Sequence, residues 1–323
     1  MIWRPLLLLA AFLPAFAAPC ATATPDCTEW VGLGAKGARS LVYRTYALDK
    51  RNESITRAVI MVHGAGRDAD NYFRTALAAA FLGGALDDTV VISPRFASND
   101  GRTCRDTLAS DEINWSCSGD SWRSGGLSLG GDGLNSYNLM DEILRKLARK
   151  GTFPNLKSIV VAGHSAGGQF VTRYEMANQV HDALGVPVTY VVSNPSSYAY
   201  LDPIRPAEPD KTKCPNFDRW PYGLQARTGY TARLSDDLLK KQLAARPVVY
   251  LLGELDTLPL AGFDSSCSAM AQGPSRLARG QAFASYIEKK YGAQHKVAVV
   301  PMCGHNARCM FTADPALAVL FPK

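Results

Sequence analysis

Along most of its length the chain alternates between short, wholly apolar runs and longer stretches whose apolar positions recur every three or four residues. The short runs lie at residues 58–62, 89–92, 159–162, 188–192, 248–252 and 297–300. Such runs, with no polar alternation, are predicted to be buried strands. Residues 41–48 alternate instead, which predicts an early strand. Helical spacing predicts helices over 68–81, 134–150, 168–180 and 277–290. Asp68 or Asp70 is the cap expected for the first of these and Gly83-Gly84 its stop, while Gly151 ends the second. Strands alternating with helices predict an α/β chain with a mostly parallel central sheet and helices on both faces. No internal repeat interrupts the pattern.

Two stretches depart from that rhythm. Residues 99–133 are rich in Ser, Gly, Asn and Asp around Trp115 and Trp122. Residues 194–246 carry Tyr198, Tyr200, Trp220 and Tyr222 with Lys211, Lys213, Arg219 and Arg227. Both leave the carboxyl end of a predicted strand, where loops of a parallel sheet gather over a binding crevice. Their aromatics and cations fit a cleft for aromatic or polymeric acyl groups, with a place for carboxylates. They fit equally a small core beneath a long loop.

The N-terminus reads as an export signal spanning residues 1–18. Arg4 gives the positive flank, residues 6–16 a short apolar run, and Ala15-Phe16-Ala17-Ala18 a small-residue cleavage site. The apolar run is too short to cross a bilayer as a helix, so a secreted or periplasmic protein without stable membrane insertion is expected. Residues 19–323 then form one domain, with the two excursions as its coverings. In an oxidising compartment the eight cysteines imply disulfides. Proximity pairs Cys20 with Cys27, Cys104 with Cys117, Cys214 with Cys267 and Cys303 with Cys309. His305 between Cys303 and Cys309 offers a metal site as the rival, although no C-x2-C pair occurs. The formal charge of +6 is scattered. No basic stripe interleaves with aromatics, so no nucleic-acid partner is expected.

The chemistry concentrates where the run at 159–162 ends. Gly163-His164-Ser165-Ala166-Gly167-Gly168 fits G-x-S-x-G between a strand and a helix, a turn so sharp that its neighbours must be small. Such a turn holds Ser165 above the sheet as a nucleophile, facing the free N–H groups of the following helix. A serine hydroxyl needs a base, and the base an orienting carboxylate. Of the five histidines, His63 and His164 sit inside motifs and are expected to pack beneath the site, and His181 and His295 to face solvent. His305, in the loop after the last strand, is the base, and a Cys303–Cys309 bridge would restrain it. Asp256, after the run at 248–252, is the first choice of acid; Glu254 and Asp264 compete, and Asp202 follows the preceding strand. Ser165, Asp256 and His305 then stand in the order of an α/β-hydrolase triad. Oxyanion donors are expected from the backbone of Ala166 and from the loop His63-Gly64-Ala65-Gly66, with the amide of Ala65 first.

The HGAG at 63–66, GHSAGG at 163–168, GELD at 253–256 and CGH at 303–305 resemble a secreted branch of the α/β-hydrolase superfamily that holds polyhydroxybutyrate depolymerases and feruloyl esterases. The resemblance implies the α/β-hydrolase fold and cleavage of a small-molecule or polymeric ester through an acyl-serine, with no cofactor and no metal. The chain departs from many polymer depolymerases in showing no recognisable binding or linker module after these motifs. A peptidase or amidase using the same three residues is the second expectation, and a non-catalytic binding protein on this fold the third.

Overall fold

The computed structural model describes residues 18–34, 37–118, 121–260 and 262–322. The predicted export segment, apart from Ala18, lies outside the described residues. Eight strands, β1 (Thr28–Leu33), β2 (Ala38–Arg44), β3 (Arg57–Val62), β4 (Thr89–Pro94), β5 (Ser158–His164), β6 (Val188–Ser193), β7 (Val248–Gly253) and β8 (Lys296–Val300), make one sheet. Its order is β1-β2-β4-β3-β5-β6-β7-β8, with β2 antiparallel to both its neighbours, β1 and β4, and every other pairing parallel. The helices are α1 (Ala69–Leu82), α2 (Ser136–Leu147), α3 (Ala166–Ala177), α4 (Asp236–Ala245), α5 (Cys267–Met270), α6 (Arg276–Tyr291), α7 (Ala307–Thr312) and α8 (Asp314–Leu320). One sheet face packs Val59, Met61 and Val91 against Phe73, Ala76 and Phe311. The other packs Ile60, Val161 and Tyr250 against Leu139, Phe170 and Phe283.

Each predicted apolar run is a strand, and β4 and β7 are buried along their whole length, as inner parallel strands require. β8 is the exception. As the last strand in the sheet it leaves Val297 47% and Val299 42% exposed, although its run is as apolar as the others. The early strand ends at Arg44 rather than residue 48. At Thr45 the side-chain hydroxyl takes over the ladder, accepting from the Val91 N–H at 3.0 Å. β1, paired with β2 as an antiparallel hairpin, was not signalled by any apolar run.

Local chemistry sets the helix starts. α2 begins one residue after Asn135, whose side chain accepts from the N–H groups of Tyr137 and Asn138, while the Asn138 side chain returns to Asn135. Asp68 occupies the cap position of α1, but its carboxylate accepts from the Asn71 side chain at 3.2 Å and makes no capping bond to the helix backbone. α3 starts at Ala166, earlier than its spacing predicts, and is buried on every side. That follows from the second excursion, which folds over it and contains α4, a helix unforeseen in a stretch read as loop.

Most aromatics of the excursions belong to the core. Trp115, Trp122, Tyr198 and Tyr200 are no more than 2% exposed. The Trp115 indole donates to Ser40 Oγ at 3.1 Å, and Tyr198 stacks on Phe283. The cysteines stand at disulfide distance in the four expected pairs, with Cα–Cα separations of 5.4, 6.5, 5.9 and 5.8 Å in chain order.

Candidate active site

The site is assembled at the carboxyl ends of the parallel strands. β5 passes through His164 and reverses at Ser165, whose φ of 59° and ψ of −118° lie where side-chain-bearing residues are strained. The small neighbours are a steric necessity. A β-carbon on Gly163 would stand 2.3 Å from the Gly167 carbonyl oxygen, and one on Gly167 2.3 Å from that of Val62. One on Gly168 would meet the Ser193 carbonyl oxygen at 2.6 Å. The elbow is therefore pressed against both neighbouring strands, β3 and β6.

Three side chains from three strand exits meet there. The Ser165 Oγ lies 2.9 Å from His305 Nε2, and His305 Nδ1 lies 2.7 Å from Asp256 Oδ2. With a carboxylate on one side and a hydroxyl on the other, the consistent assignment is Nδ1–H donating to Asp256 and Nε2 accepting from Ser165. Asp256 is 1% exposed, and its second oxygen faces the buried Arg276 guanidinium at 3.5 Å. The loop that carries His305 is tied at several points. Cys303 pairs with Cys309, Glu254 Oε2 accepts the Met302 N–H at 2.8 Å, and the Asn306 side chain accepts from Cys309 N at 3.0 Å to cap α7. Glu254 is thus a brace for this loop and does not reach the imidazole. Cys303 and Cys309 are bonded to each other and His305 is held between Ser165 and Asp256, so the three do not converge on one point as metal ligands would.

Because β3 runs beside β5, with Val62 opposite Gly163, the loop at 63–66 comes down next to Ser165. Gly64, Ala65 and Gly66 line one cavity of about 560 Å³ with Ser165 and His305. The Gly64 carbonyl accepts from Arg67 N at 3.1 Å and lies 2.9 Å from His63 Nδ1. In a trans peptide the Ala65 N–H must then point the opposite way. Ala166 is the first residue of α3, so its N–H has no acceptor within the helix.

His63 and His164 lie beneath the reacting groups. His63 accepts from Phe96 N through Nε2 at 3.0 Å while Nδ1 donates to Gly64, and burial pushes its pKa down to about 4. His164 is held neutral by burial first and by the neighbouring His305 second, its ring 4.5 Å from that of His305. His181 and His295, expected in solvent, are half-buried: each imidazole Nδ1 bonds a tyrosine hydroxyl, Tyr190 at 3.0 Å and Tyr250 at 2.9 Å. Asp264 bonds Tyr222, and Asp202 bonds Tyr286 and Tyr291, so neither approaches His305.

A sequence model described as the alpha/beta hydrolase family matches residues 59–320. The chain belongs to the alpha/beta hydrolase family. Solved structures with the same fold include the poly(3-hydroxybutyrate) depolymerase LpqC from Bordetella parapertussis, 20% identical with a TM-score of 0.62 over 87% of this chain and 83% of that one. They also include poly(aspartic acid) hydrolase-1 from Sphingomonas sp. KT-1, 23% identical with a TM-score of 0.62 over 88% of this chain and 94% of that one. No curated protein sequence matches the chain.

This alpha/beta hydrolase holds three site residues that the motifs did not disclose. Arg276 reaches Asp256 from the start of α6, and only the fold brings them together. Tyr72, from α1, places its hydroxyl 3.1 Å from His164 Nδ1 at the wall of the same cavity. Asn194, at φ 45°, accepts the Gly253 N–H at 2.8 Å and donates to the Gly304 carbonyl at 3.4 Å, linking the ends of β6 and β7 to the His305 loop. An asparagine directly after β6, where a left-handed turn is needed, is the one sequence signal that pointed to any of them.

Proposed function

We propose that this protein is an exported serine hydrolase that cleaves carboxylic esters through an acyl-serine intermediate. The observation that carries the reading is the unbroken chain from Ser165 Oγ through the His305 imidazole to Asp256, on a strained turn at a cavity wall. As Ser165 Oγ attacks the acyl carbon, His305 Nε2 takes its proton, and Asp256 stabilises the imidazolium through Nδ1–H. The carbonyl oxygen becomes an oxyanion, held by the N–H groups of Ala65 and Ala166, each worth about 10²–10³ in rate. His305 then protonates the departing alkoxide, leaving an acyl-serine and an alcohol. Water attacks the acyl carbon, gives its proton to His305, and the carboxylic acid is released as Ser165 recovers its hydrogen.

The buried Arg276 guanidinium, 3.5 Å from the second Asp256 oxygen, sets a counter-charge beside the carboxylate that this cycle uses. Export is supported by the N-terminal pattern and by the four cysteine pairs. Among the described residues no helix is long and apolar enough to cross a membrane. Residues 19–323 form the mature hydrolase domain in this reading, with 99–133 and 194–246 as its coverings. The test is a panel of p-nitrophenyl acyl esters of increasing length beside peptide p-nitroanilides. Ester turnover that vanishes in Ser165→Ala is expected. Turnover of anilides without esters would make the protein an amidase using the same residues.

A further inference from the structure

A second cavity, of about 600 Å³, adjoins the catalytic one and is walled by Arg123, Arg173, Arg219, Trp220, Tyr222 and Asp264 among others. Arg173 is the most telling of these. It is 1% exposed, and its Nε donates to the Pro221 carbonyl and its Nη2 to Ser197 Oγ, both at 3.1 Å. Among the described residues no carboxylate lies within 4.0 Å of it. A buried cation is ordinarily paired, because removing it from water without a counter-charge is expensive. The desolvation shows as a guanidinium pKa pushed down to about 10. Arg123 is half-buried and Arg219 exposed at the rim. Asp264 is the one carboxylate among the described residues that line the cavity, and its two oxygens already accept from Tyr222 Oη at 2.8 Å and Ser266 N at 3.0 Å. Among the described lining residues, three guanidiniums thus face one engaged carboxylate.

Its place relative to Ser165 follows from helix geometry. Gln169 and Arg173 come four and eight residues after Ser165 on α3, one stripe of the helix leading away from the nucleophile, about 6 and 12 Å along its axis. Residues close in sequence also line the two cavities in turn. Gly262 lines the catalytic cavity and accepts from Ser196 Oγ at 3.2 Å, while Ser197 and Asp264 line the cationic one. Trp122 packs on His63 at 4.8 Å between ring centroids, and the next residue, Arg123, turns into the cationic cavity.

We infer that the second cavity is a carboxylate subsite: the substrate is an acyl compound carrying a free carboxylate on the order of 10 Å from its scissile carbonyl. Arg173 and Arg219 grip the carboxylate through the planar fork that suits two oxygens, and Trp220 and Tyr222 flank the stem between the two ends. This rests on the hydrolase reading above for the reaction, though not for the binding.

The test compares p-nitrophenyl octanoate with the mono-p-nitrophenyl ester of octanedioic acid, the same chain ending in a carboxylate. The dioate should be preferred in kcat/KM by about tenfold or more, as expected for a charge-assisted pair. The preference should shrink as salt rises from about 20 mM to about 500 mM. It should collapse in Arg219→Gln, whose exposed position makes it safe for folding, and in Arg173→Gln where that variant folds. It should persist in Arg51→Gln, an exposed arginine paired with Glu53. Calorimetry of octanedioate binding to Ser165→Ala supplies an arm independent of turnover, with inorganic phosphate as the competing anion. Octanoate turned over as well as the dioate, or phosphate bound as tightly as octanedioate, would overturn the carboxylate subsite while leaving the hydrolase reading intact. No turnover of either ester with octanedioate still bound in an Arg219-dependent way would do the reverse. Absence of both turnover and binding would overturn both.

Discussion

Replacing Asp256 with asparagine separates the orienting role from mere packing, because the side chain keeps its shape and loses its charge. Asp256 is 1% exposed, with one oxygen 2.7 Å from His305 Nδ1 and the other 3.5 Å from the Arg276 guanidinium. An amide must choose. With its NH2 toward His305, it needs Nδ1 as an acceptor, which moves the imidazole proton to Nε2 and leaves nothing to receive the Ser165 hydrogen. With its oxygen toward His305, it turns an NH2 on a guanidinium and provides no charge for the imidazolium. Loss of the carboxylate in this arrangement costs about 10⁴-fold in kcat, or about 5 kcal/mol of barrier. The fold should loosen as well, since Arg276 loses its counter-charge in a buried place. The assay is kcat on p-nitrophenyl butyrate, with a thermal melt of each protein and Asp256→Asn/Arg276→Met as the variant that removes the stranded cation. A kcat within tenfold of the parent, at an unchanged melting temperature, would refute the reasoning and return the orienting role to another carboxylate.

Other consequences are equally direct. Because the His63 pKa falls to about 4 on folding from an ordinary value of 6.5, the unfolded chain binds more protons between those values, and stability drops as pH falls through that window. The loss is on the order of 3 kcal/mol, measurable as melting temperature against pH and diminished in His63→Gln; an unchanged acid limb in that variant would contradict it. Gly167→Ala should destabilise by roughly 1–3 kcal/mol, because its β-carbon meets the Val62 and His63 carbonyl oxygens rather than a side chain that can move. Denaturant unfolding reads that loss directly, and an unaltered midpoint would contradict the crowding. The pair Cys303→Ser/Cys309→Ser should lower kcat by up to about 10²-fold through a displaced His305, with substrate binding little affected. Wild-type turnover in that variant would show that Glu254 and Asn306 hold the loop without the bridge.

What the chain disclosed in advance is what local chemistry controls. Runs such as residues 159–162 became inner strands because a parallel sheet covered on both faces accepts nothing polar, and the glycines around Ser165 mark backbones that touch. The proposed Ser165, Asp256 and His305 were each read from a strand exit, which is a local feature, and the fold brings the three side chains within hydrogen-bond distance. The partners that reach across the fold were hidden. Arg276 meets Asp256, and Arg173 meets its cavity, only after α6 and the second excursion have packed, and neither has a spacing that announces it. The same holds for Trp115 and Tyr198, whose composition suited a cleft and a core alike until the tertiary structure buried them. β8 shows the opposite failure: its apolar run is real, but its place at the sheet edge is a property of topology.

The central claim is that Ser165 is a nucleophile activated by His305, and a fluorophosphonate probe tests it most directly. Intact-mass and peptide mass spectrometry of the labelled protein should find one adduct, on the peptide containing Ser165, formed rapidly in the parent, slowly in His305→Ala and not at all in Ser165→Ala. A folded parent protein that takes up no probe at Ser165, or takes it up as fast without His305, would contradict the account.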